Sequence, residues 1–314
     1  MNPFPVTQAH ALEPVDADRE WLIEDLWGDE AVGIIGGEPK CGKSLLALDM
    51  AVSVSSGRPC LGRFPPRRTG RVLLYAAEDS LAIVRQRLEG IAYRAGLDIA
   101  ALDLWIITAP TVRLDVPEHR TRLAATVKSI QPHLLILDPF VRLHRIDENA
   151  SAEVVPLLAS LRDLQRTYGC AVLIVHHARK GASRARAGQA LRGSSEFHAW
   201  SDAGLFLRRR GDDIVLSAEH RAHPAIQDLK LRLDTAGGNV ALVVANESAE
   251  EPATQGRASP GDRILAALET CATPLSARQL RQHCSIRTST VADTLATLQG
   301  EGRVENSPAG WVLI

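Results

Sequence analysis

Val32-Gly33-Ile34-Ile35-Gly36-Gly37-Glu38-Pro39-Lys40-Cys41-Gly42-Lys43-Ser44-Leu45 is the stretch on which the fold turns. Residues 32–36 make an apolar run of strand length, and residues 45–55 continue as an apolar helix. Between them stands the spacing G-x-x-x-x-G-K-[ST]. In such a loop successive backbone N–H groups and the N-terminus of the following helix form a cradle for phosphate oxygens. The lysine reaches the β- and γ-phosphates, and the hydroxyl of the last residue ligates Mg²⁺. The pattern is specific because a strand precedes it and a helix follows. It places Gly37, Glu38, Pro39, Lys40, Cys41, Gly42, Lys43, Ser44 and Leu45 around a bound ATP, with Lys43 on the phosphates and Ser44 on Mg²⁺. Cys41 reads as a small residue that fits a tight loop.

Outward from this loop, apolar runs of strand length alternate with helical segments. Strands are expected over residues 71–77, 104–108, 134–138 and 170–175, with helices over 80–95, 119–130 and 152–168, the last interrupted at Pro156. The strand runs are continuously Val/Ile/Leu rather than alternating, as in strands covered on both faces. Together with the β-helix-β rhythm this predicts an α/β fold with a mostly parallel, doubly wound sheet. Shorter strands over 202–208, 213–218, 229–234 and 240–244 should extend the sheet, with turns at Asp212 and Gly237-Gly238.

Composition then shifts. Residues 247–260 contain no large apolar side chain and read as a linker. Beyond it, helices over 262–270, 276–283 (capped by Ser276) and 288–301 precede two short strands about Pro308-Ala309-Gly310, the pattern of a winged helix. The expected organisation is therefore an ATPase domain over 1–247, a linker over 248–260 and a winged-helix domain over 261–314.

The 314 residues are 45% hydrophobic and 23% charged, an ordinary globular balance. No apolar run approaches membrane-span length, and residues 1–19 lack the layout of a secretory signal, so a cytoplasmic location with no membrane contact is expected. The five cysteines are scattered and none forms a CxxC pair, which argues against a disulfide framework and a structural zinc site. A formal net charge of −1 means that any nucleic-acid contact must come from a local basic patch.

A phosphate loop needs a second acidic anchor for its metal. Leu134-Leu135-Ile136-Leu137-Asp138 is an apolar strand ending in Asp, so Asp138 is the expected Mg²⁺ partner of Ser44. Pro139 follows, so the carboxylate that deprotonates or orients water must come from elsewhere. Glu78, at the end of the strand over 71–77, is the candidate base, with a helix-cap role as its rival and Asp79 beside Ser80 fitting that cap. His176-His177 ends the strand over 170–175. Adjacent strand side chains point opposite ways, so His177 is read as the γ-phosphate sensor and His176 as a packing residue.

These residues resemble the RecA-type motor ATPases, in particular the RepA-like hexameric plasmid helicases related to DnaB. The resemblance covers residues 21–244. It rests on the 37–44 loop, Tyr75-Ala76-Ala77-Glu78-Asp79, the 134–138 strand, Val175-His176-His177-Ala178-Arg179-Lys180-Gly181, Leu191-Arg192-Gly193-Ser194-Ser195 and Ser217-Ala218-Glu219-His220-Arg221. It implies a RecA-like core, Glu78 as catalytic base and His177 as sensor. It also implies an arginine finger given to a neighbouring subunit, which Arg221 matches best, with Arg208 and Arg192 as alternatives. Glu219 stands where the family often has Lys. A shared finger implies a homo-oligomeric ring, a hexamer in this family. Arg179, Lys180, Arg184, Arg186 and Arg192 would then grip single-stranded DNA through its backbone. The formally neutral winged helix, opened by Arg287-Thr288-Ser289-Thr290, would bind duplex DNA or a protein partner. The implied function is Mg²⁺-dependent ATP hydrolysis coupled to single-stranded DNA. The alternative is a regulatory or loader ATPase that recruits a partner without unwinding.

Overall fold

The chain is described from a computed structural model. Residues 3–12, 20–177, 194–210, 213–235, 240–245, 260–270, 274–284, 288–307 and 310–313 are described. They belong to two compact units, Met1–Asn246 and Glu247–Ile314.

In the first unit the elements follow in the order β1 (Trp21–Ile23), β2 (Trp27–Gly28), β3 (Val32–Gly37), α1 (Lys43–Ser56), β4 (Val72–Ala76), α2 (Leu81–Arg94), β5 (Leu104–Ile106), α3 (Pro117–Ile130), β6 (Leu134–Asp138), α4 (Ser151–Tyr168), β7 (Ala171–His177), α5 (Ser194–Trp200), β8 (Ala203–Arg210), β9 (Asp213–His220), β10 (Ile226–Asp234) and β11 (Ala241–Val244). Nine of these strands form one sheet in the order β11-β10-β9-β8-β3-β7-β6-β4-β5. From β8 to β5 neighbours are parallel; β9, β10 and β11 continue the sheet antiparallel. This is the expected mostly parallel α/β sheet with its extension of late strands. The turn residues Asp212 and Gly237-Gly238 lie outside the described residues, as does most of the expected linker.

Strand alternation sorts the apolar runs onto two cores. Ile35, Val72, Leu74, Leu134, Ile136, Leu173 and Val175 pack on the face covered by α1 and α2. Val32, Ile34, Leu73, Tyr75, Leu135, Leu137, Val172 and Ile174 pack on the other face with residues of α3, α4 and Phe197 of α5. Carried to the carboxyl ends of the strands, the same alternation aims positions 37, 138 and 177 toward the α1 face and position 176 toward the α4 face.

α4 departs from the expectation. It runs unbroken through Pro156. Proline at this point removes one backbone donor to the carbonyl of Ala152. Both residues lie on the exposed face, where water takes the freed carbonyl, while Val154, Leu157, Leu158 and Leu161 hold the buried face together.

Asp49, on the buried side of α1, accepts a 2.7 Å hydrogen bond from the Leu61 backbone N–H. Burial pushes its carboxyl up to about 6, against the Leu61 and Cys60 hydrogen bonds that favour the anion. Between roughly pH 4 and pH 6 the folded chain holds a proton that the unfolded chain has released, so stability falls as pH rises through that window. The cost of this group above the window is about 3 kcal/mol. Asp49→Asn keeps an acceptor for Leu61 and should flatten the decline in urea-melt stability across the window; Asp138, raised to a similar value, leaves part of the slope in place. An unaltered slope in the variant contradicts this account of Asp49.

The second unit comprises α6 (Pro260–Thr270), α7 (Ala277–Cys284), α8 (Thr288–Gly300) and the antiparallel pair β12 (Val304–Ser307) and β13 (Gly310–Leu313). Ile264, Leu268, Leu280, Val291, Leu295, Leu298 and Val304 form its own core. Ser276 caps α7 reciprocally: the Gln279 N–H donates to the Ser276 hydroxyl and the Gln279 side chain accepts from the Ser276 N–H. Leu275 and Trp311 exchange backbone hydrogen bonds, adding a third short segment to the hairpin. No helix among the described residues is long and apolar enough to cross a membrane.

Candidate nucleotide site

The loop between β3 and α1 depends on two glycines. A side chain at Gly37 would stand 2.2 Å from the carbonyl oxygen of Leu207, so only glycine lets β8 lie this close. Gly42 has φ of 91°, in the left-handed region, and caps the N-terminus of α1. The loop's backbone therefore turns sharply into a helix whose first two residues are Lys43 and Ser44, with free N–H groups directed at the loop.

Lys43 is 5% exposed, and its Nζ donates to the carbonyl oxygens of Gly37 at 3.1 Å and Glu38 at 2.7 Å. Burial lowers its pKa, an effect opposed by Cys41, Asp138, Glu78 and Glu38. An ammonium held by carbonyl dipoles and the Cys41 sulfur in a buried loop is poised to exchange them for phosphate oxygens. Cys41 is fully buried, with its thiol donating to the Glu38 carbonyl at 2.8 Å and its pKa raised by burial. Its side chain serves the packing of the loop; toward a ligand it offers its backbone.

The Ser44 hydroxyl lies beside the Asp138 carboxylate and favours its charged form. Asp138 sits at the end of β6, paired in register with Ala76 of β4. Burial raises its pKa to about 6; the neighbouring Asp79 and Glu78 push in the same direction, while Ser44 and Lys43 oppose them. A desolvated carboxylate beside a serine hydroxyl and two further acids is an oxygen-rich, electron-rich site that a hard divalent cation such as Mg²⁺ suits.

Glu78 and His177 line the same cleft as Lys43 and Ser44, a cavity of about 670 Å³. Glu78 accepts a 2.9 Å hydrogen bond from Arg142 Nε. Asp79 is ion-paired to Arg87 of α2, and the cap of α2 is Ser80, whose hydroxyl accepts from the Ile83 N–H. The capping rival to Glu78 thus falls to Ser80. His177 is aligned with Gly37 in the β3–β7 register. Burial and the Lys43 ammonium lower its pKa, and its Nδ1 is buried with no protein partner. His176 points the other way and is 1% exposed.

The far end of the cleft is apolar. Ile83, Leu233 and Val240 are 41%, 40% and 40% exposed, and all three line this cavity, with Gln86 and Arg87 beside them. Sequence reasoning missed this wall, because its parts come from α2, from β10 and from the residue before β11, and meet only in the folded chain. It also missed Arg142, 64 positions from Glu78 in sequence.

Arg221 is not in this cleft. Its guanidinium donates to the carbonyls of Ala199 at 2.7 Å and Ser201 at 3.2 Å and pairs with Asp202 at 3.3 Å. In register, Ala203 lies opposite both His220 and Gly33, whereas Leu207 lies opposite Gly37. Arg221 therefore sits at the end of the sheet away from the chain's own phosphate loop. Arg208, beside Leu207, is at the loop end and is ion-paired with Asp228. Arg192 and the basic residues 179–186 lie outside the described residues, and so does the side chain of Thr288 with those of its two successors.

A family model described as "AAA domain" matches residues 2–183, more than half of the chain. The chain belongs to the AAA domain family. Among solved structures, this AAA domain protein is similar to the RadB recombinase (TM-score 0.51, 19% identity, covering 70% of this chain and 94% of that one). It is also similar to a DnaB-like replicative helicase studied with its primase (TM-score 0.52, 15% identity, covering 68% of this chain). The match spans 57% of the helicase chain. At these identities the likeness is one of fold: the AAA domain here has a RecA-like fold.

Proposed function

We propose that this AAA domain protein hydrolyses ATP with Mg²⁺ and couples hydrolysis to single-stranded DNA, as a helicase-type motor of the RepA-like kind. One observation carries the reading: a single cleft brings together the phosphate loop with Lys43, the Ser44–Asp138 pair, the carboxylate of Glu78 and the imidazole of His177. A simple nucleotide binder needs the first two; a water-orienting carboxylate and a second polar group opposite the loop are what hydrolysis adds.

In this reading the amides of residues 37–44 and Lys43 hold the triphosphate, and the apolar wall of Ile83, Leu233 and Val240 takes the base. Bound Mg²⁺ supplies charge neutralisation on the phosphate oxygens, and Ser44 and Asp138 hold it. Glu78 orients and deprotonates the attacking water, and the free Nδ1 of His177 is the hydrogen-bonding group offered to the γ-phosphate. Arg221, remote from its own loop, would exchange its Ala199, Ser201 and Asp202 contacts for the nucleotide of a second copy, which favours a ring, and the resemblance to RepA-like helicases favours a hexamer. The three-helix and hairpin unit at the C-terminus serves as a winged helix, docking duplex DNA or a protein.

Single-stranded DNA should raise ATP turnover on the order of tenfold, with the stimulation fading as salt rises from about 50 to about 200 mM, since backbone contacts of the 179–192 basic residues would release counterions. Turnover measured with and without DNA checks this. A rate indifferent to DNA across the salt series removes the motor reading and leaves a regulatory or loader ATPase.

A further inference from the structure

Beneath the cleft, on the α4 face of the sheet, two buried imidazoles share one carboxylate. Glu148 is 9% exposed, His144 4% and His176 1%. Glu148 Oε1 lies 3.3 Å from His144 Nε2, and its Oε2 lies 3.5 Å from His176 Nε2. Burial would raise the Glu148 carboxyl, but the adjacent His144 and His176 imidazoles outweigh it and hold the group at about 2. The rings are packed among aromatics: His176 against Phe197 at 4.4 Å and His144 against Phe140 at 4.6 Å between centroids. Arg113 fastens the same loop by donating to the carbonyls of Arg142 and His144 at 2.9 and 3.0 Å.

A buried anion in an aromatic core costs stability unless it does something that an apolar residue cannot. What it touches is the end of β7. His176 is joined by one peptide bond to His177, and alternation sends the two to opposite faces. Phe197, packed against His176, belongs to α5, which begins at Ser194. The α4-side face of that strand end is thus held by one carboxylate.

We infer that Glu148 is a positioning residue: its carboxylate, 3.3 and 3.5 Å from the Nε2 atoms of His144 and His176, attracts the Nε2–H of both rings without being aligned as a hydrogen bond to either, and so locks the carboxyl end of β7, so that His177 faces the γ-phosphate position. The role of His177 rests on the nucleotide reading above; the Glu148 contacts do not. Glu148→Gln tests it with little change of volume. A carboxylate attracts the Nε2–H of both imidazoles, whereas the amide offers one acceptor and turns its NH₂ toward the other ring, forcing that ring to give up its Nε2 proton.

Two measurements separate the layers. In ¹⁵N-histidine spectra of the full chain without nucleotide, the two rings should both carry Nε2–H in the wild type, and one should become Nδ1–H in Glu148→Gln. In titrations with a non-hydrolysable ATP analogue and with ADP, the variant should lose about tenfold in analogue affinity while ADP stays within about twofold. In a His176→Phe background the Glu148→Gln effect on the analogue should vanish. Unchanged ring signals overturn the inference, as does equal weakening of ADP and analogue, or a chelatable metal held stoichiometrically by the purified protein. If neither nucleotide binds wild-type protein, the nucleotide reading fails, while the ring signals still report on Glu148.

Discussion

Lys43→Ala should lower ATP turnover by at least about 10²–10³-fold, the loss that follows removal of one preorganised charge-stabilising donor. The lysine is buried at the base of the loop and holds no carboxylate of its own; its Nζ rests on two loop carbonyls. Truncation removes the cation that meets developing negative charge on the phosphates, and leaves the Gly37 and Glu38 carbonyls to water that enters the vacated space. The fold should survive, because the glycines and the fully buried Cys41 shape the loop independently of Lys43. Steady-state turnover at saturating Mg²⁺ and ATP, with far-ultraviolet circular dichroism as the control for folding, checks this. A folded variant within about threefold of wild type contradicts the assignment of Lys43.

Glu78→Gln should separate binding from chemistry. A general base contributes about 10²–10⁴ in rate, and the amide cannot take the proton. The variant should nevertheless keep nucleotide affinity, since the amide side chain retains an oxygen for Arg142 Nε. What is lost is the negative charge, which pairs with Arg142 and pushes the Asp138, Lys43 and His177 pKa values up. Asp79→Asn makes the internal comparison: Asp79 is engaged with Arg87, so its loss should disturb α2 more than catalysis. Single-turnover hydrolysis beside equilibrium binding of an ATP analogue distinguishes the two. Turnover by Glu78→Gln near the wild-type level would move the base elsewhere, with Asp79 the next carboxylate on the cleft wall.

The phosphate loop, the strand order of apolar runs and the residues ending those strands were legible from the chain because each depends on neighbours in sequence. Period-two alternation in β6 and β7 is enough to send Asp138 and His177 to the α1 face and His176 to the α4 face, as the two cores show. The proline in α4 misled because the cost of a lost donor depends on whether the freed carbonyl is exposed, which is a property of packing. The short β1–β2 pair and α5 were missed for a similar reason: at two to seven residues they carry too little periodicity to stand alone. Arg142 on Glu78 and Glu148 on His176 were illegible because each contact joins distant segments.

The central claim is that the Lys43–Ser44 loop, Asp138, Glu78 and His177 enclose one Mg²⁺–triphosphate. Electron microscopy of the protein with Mg²⁺, a non-hydrolysable ATP analogue and single-stranded DNA measures it most directly. The account expects the triphosphate on the 37–44 amides, the metal at Ser44 and Asp138, and both Glu78 and His177 turned toward the γ-phosphate. Nucleotide lodged elsewhere, such as the separate cavity beside Asp49 and Arg94, or a γ-phosphate that Glu78 and His177 both face away from, would contradict it.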